Sequence, residues 1–179
     1  MPYDILKSTE VFDGTAVRLV VYEILLPNGA IAKREIVHNR DAAVILPVGD
    51  DGDVYLVRQY RHSVRQMVLE VPAGIIDAGE TAEQCALREL EEEVGLRAGH
   101  LVKVCEYHDS IGICSGKMHL FVATELTPGV QKLDPEEFIT IEKHNLDNCK
   151  KMIQSGEIID GKTILAIFAY TSDFVNRLV

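Results

Sequence analysis

The chain has 179 residues, of which 47% are apolar and 26% charged, a composition typical of a globular protein rather than a disordered or membrane-embedded one. This length can bury one sizeable core, so one main domain is expected. The net charge of −10 argues against nucleic-acid binding, because a phosphate backbone is bound through a basic surface.

No sequence feature predicts export or a membrane anchor. The first ten residues, MPYDILKSTE, have neither the basic nor the apolar region of a signal peptide. The longest apolar run, ILAIFAY (residues 164–170), is far shorter than the roughly 20 residues that cross a bilayer. The four cysteines form no CxxC pair, and scattered thiols suit a reducing compartment. We therefore expect a cytoplasmic protein without a membrane partner.

The first forty residues predict a small antiparallel β unit. The segment VRLVVYEILLPNGAIAKREIV (residues 17–37) places Pro27, Asn28 and Gly29 between two apolar-rich runs. Proline presets φ and glycine tolerates positive φ, so this triplet is a hairpin signal. We predict a β extension over residues 1–40, followed by one larger domain over residues 41–179.

The larger domain combines strand and helix signals. Residues 42–48 and 53–60 flank GDDG, a second hairpin signal, and three further runs have strand character, at residues 67–71, 101–108 and 118–126. LDNCKKMIQSG ends on Gly156, which suits a helix C-terminus, and residues 163–178 have apolar positions at helical spacing. These elements predict an α+β fold with helices between and after the strands.

One helix between the strands has well-marked ends. Thr81 with Gln84 is a capping box and Gly95 is a natural C-terminal stop, which together predict a helix over Ala82–Val94. At about 100° per residue, the buried stripe of this helix is expected to consist of Ala82, Ala86, Leu87, Leu90 and Val94.

Glu89, Glu92 and Glu93 crowd negative charge toward the edge of that stripe. Like charges four residues apart cost roughly 0.2–0.5 kcal/mol per pair, and the C-terminal half of a helix favours cations. A solvated acidic face is one explanation. A hard cation such as Mg²⁺ is the other, because it binds carboxylate oxygens, retains waters and bridges to phosphates. Spacing alone leaves both explanations open.

Nine positions in and around this helix match a known signature. They are Gly74, Glu80, Arg88, Glu89, Leu90, Glu92, Glu93, Gly95 and Leu96. Their spacing is that of the Nudix box, GX5EX7REUXEEXGU, so the chain resembles the Nudix hydrolases. The resemblance implies a Nudix fold, an α/β/α sandwich with a mixed sheet. It also implies cleavage of nucleoside diphosphates linked to another group, with Mg²⁺ or Mn²⁺ as cofactor.

Segments outside the box resemble the ADP-ribose pyrophosphatase branch of that family. They are VRQYRHSVRQMVLEVPAGIIDAGE, the preceding β extension and IQSGEIIDGKT near the end. The resemblance implies a nucleoside diphosphate-sugar substrate, with ADP-ribose hydrolysed to AMP and ribose 5-phosphate. In that branch the N-terminal β unit reaches a partner subunit, which implies a homodimer. Packing of this unit on its own subunit remains the alternative.

The resemblance also assigns roles to residues of the box. Glu89 and Glu93 would be metal ligands together with the backbone carbonyl of Ala73. Glu92, Glu93 and Arg88 would be catalytic, with Arg88 as an internal partner of the box carboxylates. A surface ion pair between Arg88 and Glu92 is the alternative for that arginine.

Four further positions have two explanations each. Arg61 would donate to a phosphate or ribose of the substrate, although an exposed arginine at a strand end is equally consistent. Glu70 would bind the nucleotide, or it points outward on its strand. Gly74 would bring the backbone close to the metal or make a turn. Glu80 would act within the box, or it complements the positive end of the helix.

One loop departs from the branch pattern. In SIGICSGKMHLF (residues 110–121), Ile111 stands where the branch has proline, and Gly116 stands where a glutamate is expected. The general base is therefore open, with Glu92, Glu136 and Glu137 as candidates, and the substitution Gly116→Glu is predicted to speed hydrolysis. The substrate is open as well: a nucleotide sugar of the GDP-mannose type, a dinucleotide such as FAD, or a nucleotide that is bound without hydrolysis.

Overall fold

The computed structural model describes residues 3–172, which form ten strands and three helices. The C-terminal helix predicted over residues 163–178 spans Gly161–Thr171 instead, because Ser172 is already extended. The later part of the prediction, residues 173–178, lies outside the described range. The elements are β1 (Asp4–Asp13), β2 (Val17–Leu25), β3 (Ile31–Asn39), β4 (Ala42–Pro47), β5 (Asp53–Arg61), β6 (Gln66–Glu70), β7 (Ala73–Ile75), α1 (Ala82–Val94), β8 (Leu96–Tyr107), β9 (Met118–Pro128), β10 (Thr140–Asn145), α2 (Leu146–Ser155) and α3 (Gly161–Thr171).

The chain divides into two compact units, and the first is discontinuous in sequence. It runs to Asp41 and also includes His108–Lys117. Its antiparallel sheet has the order β1-β2-β3, in which β2 and β3 form the predicted hairpin with Gly29 at a φ of 82° in the turn. The later segment is attached to β3, because Val37 N–H donates to the carbonyl of Ile113 at 2.8 Å.

The second unit comprises Ala42–Tyr107 and the chain from Met118 onward. It contains a four-stranded sheet of order β7-β4-β9-β8 and a three-stranded sheet of order β10-β5-β6. β4 pairs parallel with β9 and antiparallel with β7, so the larger sheet is mixed. All six residues of β4 are buried, which fits a continuous apolar run in a central strand covered on both faces.

The two faces of β4 build two hydrophobic cores. Successive side chains of a strand point to opposite faces, so Val44 and Leu46 pack with residues of α2 and α3 while Ala43 and Ile45 pack with residues of α1. Helices therefore cover both sides of the strands, as the predicted α+β fold with a mixed sheet requires. None of the three helices in residues 3–172 combines the length and apolar composition that a bilayer span needs.

The second predicted hairpin is wrong in one respect. The GDDG turn forms, with Gly49 N–H donating to Asp53 O at 2.8 Å. The strands that it connects then diverge into different sheets, and only a bridge between Val48 and Val54 joins them. The reason is that β4 finds partners on both sides, β7 and β9, in its own sheet. The same sheets contain β7 and β10, which sequence periodicity did not predict.

Candidate active site

Helix α1 has the predicted ends but a different buried face. Thr81 Oγ1 accepts from the N–H of Gln84 at 3.2 Å, the reciprocal bond closes the capping box, and Gly95 ends the helix at a φ of 69°. Leu87, predicted to be buried, is 42% exposed. The buried residues of the helix are Cys85, Ala86, Glu89, Leu90, Glu93 and Val94. Two carboxylates are therefore part of the buried stripe rather than at its edge.

Both buried carboxylates meet the backbone of β7. Glu93 Oε2 accepts a hydrogen bond from Ala73 N–H at 3.1 Å. A Cβ atom added to Gly74 would lie 1.9 Å from Glu89 Oε1. Only glycine leaves room for the Glu89 carboxylate at this place, and so Gly74 serves close approach of backbone and side chain.

Arg88 is an internal partner of three carboxylates in the box. Its guanidinium donates to Glu80 Oε1 at 2.8 Å, Glu92 Oε2 at 3.0 Å and Glu89 Oε1 at 2.5 Å. The alternative of a simple surface pair with Glu92 is therefore wrong. Hydrogen bonding from Arg88 lowers the pKa of Glu80 to about 2, so Glu80 is an ionised anchor for the arginine.

The Glu93 carboxylate has far fewer hydrogen-bond donors and positive charges around it than Glu80 has. Within residues 3–172 its carboxylate accepts a hydrogen bond only from the backbone N–H of Ala73. Burial raises the pKa of Glu93 to about 8, and the neighbouring charge of Glu89 adds to the effect. Burial also raises the pKa of Glu89, although Arg88 partly opposes it. Buried, poorly compensated carboxylates in a cluster are typical of functional sites.

These residues fit a divalent cation that keeps part of its water shell. In the described part of the chain, no three side chains of histidine, cysteine, aspartate or glutamate converge to form a complete metal cage. Glu89 and Glu93 would supply carboxylate oxygens, with the carbonyl of Ala73 as the predicted third ligand. The remaining positions would go to water and substrate phosphate, which is the usual coordination of Mg²⁺.

Arg61 and Glu70 form a second charged group in the same unit. Arg61 donates from Nε to Glu70 Oε1 at 2.7 Å and from Nη2 to Oε2 at 2.8 Å. Glu70 is only 2% exposed, so it does not point outward from its strand, and Lys162 forms an ion pair with the same carboxylate. Sequence reasoning did not single out Lys162, although the segment IQSGEIIDGKT contains it.

Glu137 is electrostatically coupled to the box glutamates. After the dominant effect of burial, its negative charge is among the influences that raise the pKa of Glu89 and of Glu93. Glu137 is half-buried and Glu136 is exposed. Both line a cavity of about 330 Å³ together with Gln59, Tyr60, Arg61 and Phe138. Of the general-base candidates in this loop, Glu137 therefore has the better placement.

Comparison with known proteins decides the family. The sequence profile of the NUDIX domain matches residues 38–162. The chain belongs to the Nudix family. It is 38% identical to an ADP-ribose pyrophosphatase of Bacillus subtilis over 90% of this chain and 89% of the relative. It is 33% identical to a methanol dehydrogenase activator of Bacillus methanolicus, with the same coverage.

A solved structure agrees with this assignment. A crystal structure of an ADP compounds hydrolase superimposes with a TM-score of 0.86 at 25% identity, covering 99% of this chain and 94% of the other. The mixed sheet and three helices described above are thus a Nudix fold, and the protein is a Nudix hydrolase that acts on pyrophosphate bonds.

The loop glycine that departs from the Nudix branch pattern has a structural role. Gly116 N–H donates to Asn39 Oδ1 at 2.8 Å. A Cβ atom at this position would lie 2.4 Å from Asn39 Nδ2 and 2.9 Å from the carbonyl of Arg40. The substitution Gly116→Glu, predicted from the sequence to supply a base, would instead force this contact apart. Crowding by the Asn39 side chain and the Arg40 carbonyl, rather than a positive φ, disfavours a side chain here.

The raised pKa of Glu93 predicts a pH-dependent loss of stability in the metal-free protein. In the unfolded chain this carboxyl ionises near pH 4.5, whereas in the folded Nudix domain it keeps its proton up to about pH 8. The folded state binds more protons between these values, so its stability falls as the pH rises through this window. The substitution Glu93→Gln should remove the loss, leaving the variant more thermostable than the parent at about pH 9 and equal to it near pH 4.

The measurement is the midpoint of thermal unfolding in EDTA across this pH range. Glu83→Gln changes an exposed glutamate on the same helix and is the control, which should follow the parent. If the difference between parent and Glu93→Gln stays constant from acid to alkaline pH, Glu93 is not the buried, poorly compensated carboxyl described above.

Proposed function

We propose that the protein is a Mg²⁺- or Mn²⁺-dependent hydrolase of the pyrophosphate bond of ADP-ribose, which releases AMP and ribose 5-phosphate. The observation that carries the proposal is the burial of Glu89 and Glu93 against Ala73 and Gly74, where they lack sufficient positive charge from the protein itself. Similarity to ADP-ribose pyrophosphatases supports ADP-ribose over other nucleoside diphosphate sugars.

Hydrolysis adds one water molecule across the pyrophosphate. The water oxygen forms a bond to one phosphorus, the bridging P–O bond breaks, and a proton leaves the water. Bound Mg²⁺ would neutralise the diphosphate and lower the pKa of the attacking water. The contribution of Glu89 and Glu93 is to hold that cation, for which Glu93 must first give up the proton that burial favours.

Two arginine side chains would contribute to the site. Arg88 fixes the orientation of Glu92 and Glu89 by direct hydrogen bonds, so its catalytic role is to preorganise the box. Arg61 lies within electrostatic reach of Glu93 and would donate to a substrate phosphate through its guanidinium fork.

The remaining requirement is an acceptor for the proton of the attacking water. Glu137 meets it, because it shares the cavity beside Arg61 and its charge influences both Glu89 and Glu93. Glu92 is less available for this role, because its Oε2 already accepts a hydrogen bond from Arg88 at 3.0 Å.

A homodimer is proposed from the exposed sheet of the first unit. Every residue of β1 is exposed, and its apolar side chains include Ile5, Leu6, Val11 and Phe12. β1 is an edge strand, and an exposed apolar edge is a template for pairing with another chain. A second copy of the same chain would cover this surface.

We also propose a cytoplasmic location. The four cysteines are free thiols, and none is paired in a disulfide. Burial raises the pKa of Cys85 to about 12 and that of Cys149 to about 11. Such thiols stay protonated and unreactive at neutral pH, which suits a reducing compartment.

Incubation with ADP-ribose and Mg²⁺ tests the proposed reaction directly. Chromatography should resolve AMP and ribose 5-phosphate in equal amounts, and EDTA should abolish their formation. Glu93→Gln should lower kcat by at least about 100-fold, because a ligand to the charge-stabilising cation is lost. Glu83→Gln is the matched control and should retain the parental rate.

A panel of GDP-mannose and FAD in the same assay identifies the preferred substrate by kcat/KM. If ADP-ribose binds but no nucleotide is cleaved at any Mg²⁺ or Mn²⁺ concentration, the protein is a binding module and the proposed function is wrong.

The two neighbouring glutamates of the DPEEF segment test the assignment of the base. Glu137→Gln should lower kcat by about 10²–10⁴-fold, which is the typical contribution of a positioned general base. Glu136→Gln, one residue earlier and exposed, should stay within about threefold of the parent. The kcat of both variants is measured at saturating Mg²⁺. Equal losses in the two variants, or a larger loss at position 136, would contradict the assignment.

Light scattering tests the oligomeric state. A homodimer should have twice the chain mass of 19.9 kDa. The double substitution Ile5→Asp and Val11→Asp should give a monomer, because it places charge on the apolar surface of β1. Lys7→Ala alters the same strand without removing apolar surface and should remain dimeric. A parent that is monomeric at micromolar concentration would refute the dimer.

A further inference from the structure

Glu70 is a buried carboxylate that two cations share. It lies at the end of β6 and is 2% exposed. Arg61 donates two hydrogen bonds to it, at 2.7 and 2.8 Å, and Lys162 forms an ion pair with Oε2. Burial alone would raise the pKa of Glu70, but Arg61 and Lys162 outweigh it and the net pKa is lowered. Glu70 is therefore a fixed negative charge between two positive ones.

Lys162 is fixed in turn by the start of α3. Its ammonium lies 3.0 Å from Asp160 Oδ1, and only 13% of its side chain is exposed. Asp160 caps the helix by accepting from Thr163 N–H at 3.0 Å. Thr163 Oγ1 accepts from Val71 N–H at 2.8 Å, which joins the helix start to the residue after Glu70. The ammonium therefore has little freedom to leave the carboxylate.

The ammonium of Lys162 affects how strongly Arg61 can attract a ligand. Nε and Nη2 of Arg61 are bonded to Glu70, whereas Nη1 has no hydrogen-bond partner within residues 3–172. The Arg61 side chain is 42% exposed. With Glu70 alone, the arginine would belong to a neutral pair. Lys162 shares the carboxylate and is itself paired with Asp160, so the four charges alternate and Arg61 is the positive end of the row. This end attracts an anion on the exposed side of Arg61.

We propose that Lys162 is a positioning residue for the substrate diphosphate: by sharing the charge of Glu70, it leaves Arg61 rigidly oriented and electrostatically available to a phosphate. Lys162 acts through Glu70 rather than by touching the phosphate itself. The inference rests on the proposed function, because the ligand of Arg61 is taken to be the diphosphate of ADP-ribose. Glu70 on this account orients Arg61 and does not contact the nucleotide.

Binding and turnover in Lys162 variants test this role. Lys162→Met keeps the length of the buried stem and removes the charge. It should weaken ADP-ribose binding about tenfold, measured by calorimetry in EDTA, and raise KM similarly while kcat at saturating substrate stays within about threefold. Lys162→Arg restores the charge and should bind within about threefold of the parent. A residue with a merely structural role would not separate KM from kcat in this way.

A double-mutant cycle tests whether Lys162 influences the affinity for ADP-ribose through Glu70. In the Glu70→Gln background, Lys162→Met should change the affinity less than twofold, because the charge through which Lys162 acts is gone. Unchanged binding in the single Lys162→Met variant would overturn the proposal. So would an undiminished tenfold loss in the Glu70→Gln background, which would mean that Lys162 contacts the ligand directly.

Asp160→Asn provides a test that does not depend on the folding of Lys162→Met. Asparagine is an equally good helix cap, so α3 should form, and Lys162 then has Glu70 as its single carboxylate partner. Affinity for ADP-ribose should be unchanged or tighter, whereas a tenfold loss would mean that the network is only structural. All binding measurements are made without Mg²⁺ and do not depend on hydrolysis. If the parent binds ADP-ribose here but does not cleave it when Mg²⁺ is added, the proposed reaction is wrong, and the binding test of Lys162 still applies.

Discussion

The burial of two like-charged carboxylates against a three-residue strand is the constraint on which the rest of the site depends. Glu89 and Glu93 lie one helical turn apart and both face β7. Ionising both without a cation is unfavourable, because each charge would be desolvated and each would repel the other, and Glu93 therefore keeps its proton up to about pH 8. Gly74 provides the space, and Arg88 compensates part of the charge. The fold therefore maintains a negative site whose remaining compensation must come from outside the chain.

The two arginines of the site are used in different ways. Arg88 donates to Glu80, Glu89 and Glu92, so its charge is neutralised by the carboxylates that it holds in place. Arg61 pairs with one carboxylate that Lys162 also contacts, and in the proposed role part of its charge remains available to a ligand. A site that must bind both a cation and a polyanion needs this division, because one region has to stay negative and the neighbouring region positive.

Local sequence signals predicted much of this organisation. The capping box at Thr81 and the glycine at Gly95 gave the ends of α1, since both act within a few residues of the helix terminus. The same signals do not determine which face of the helix is buried, because this depends on the elements that pack against it. Leu87 was therefore assigned to the buried face although it is exposed. The pairing of Glu70 with Lys162 spans 92 positions, and no periodicity within a single element contains such information. The divergence of β4 from β5 was missed for the same reason.

The discontinuity of the first unit has a consequence for how the protein folds. Asn39 and Gly116, which are hydrogen-bonded within that unit, are 77 positions apart. During synthesis the β1-β2-β3 sheet can form as soon as these three strands emerge. The other segment of the first unit, His108–Lys117, is synthesised only after most of the strands of the second unit. Closing so long a loop has an entropic cost that local contacts cannot offset in advance. We therefore expect the attachment of His108–Lys117 to β3 to be a late event in folding.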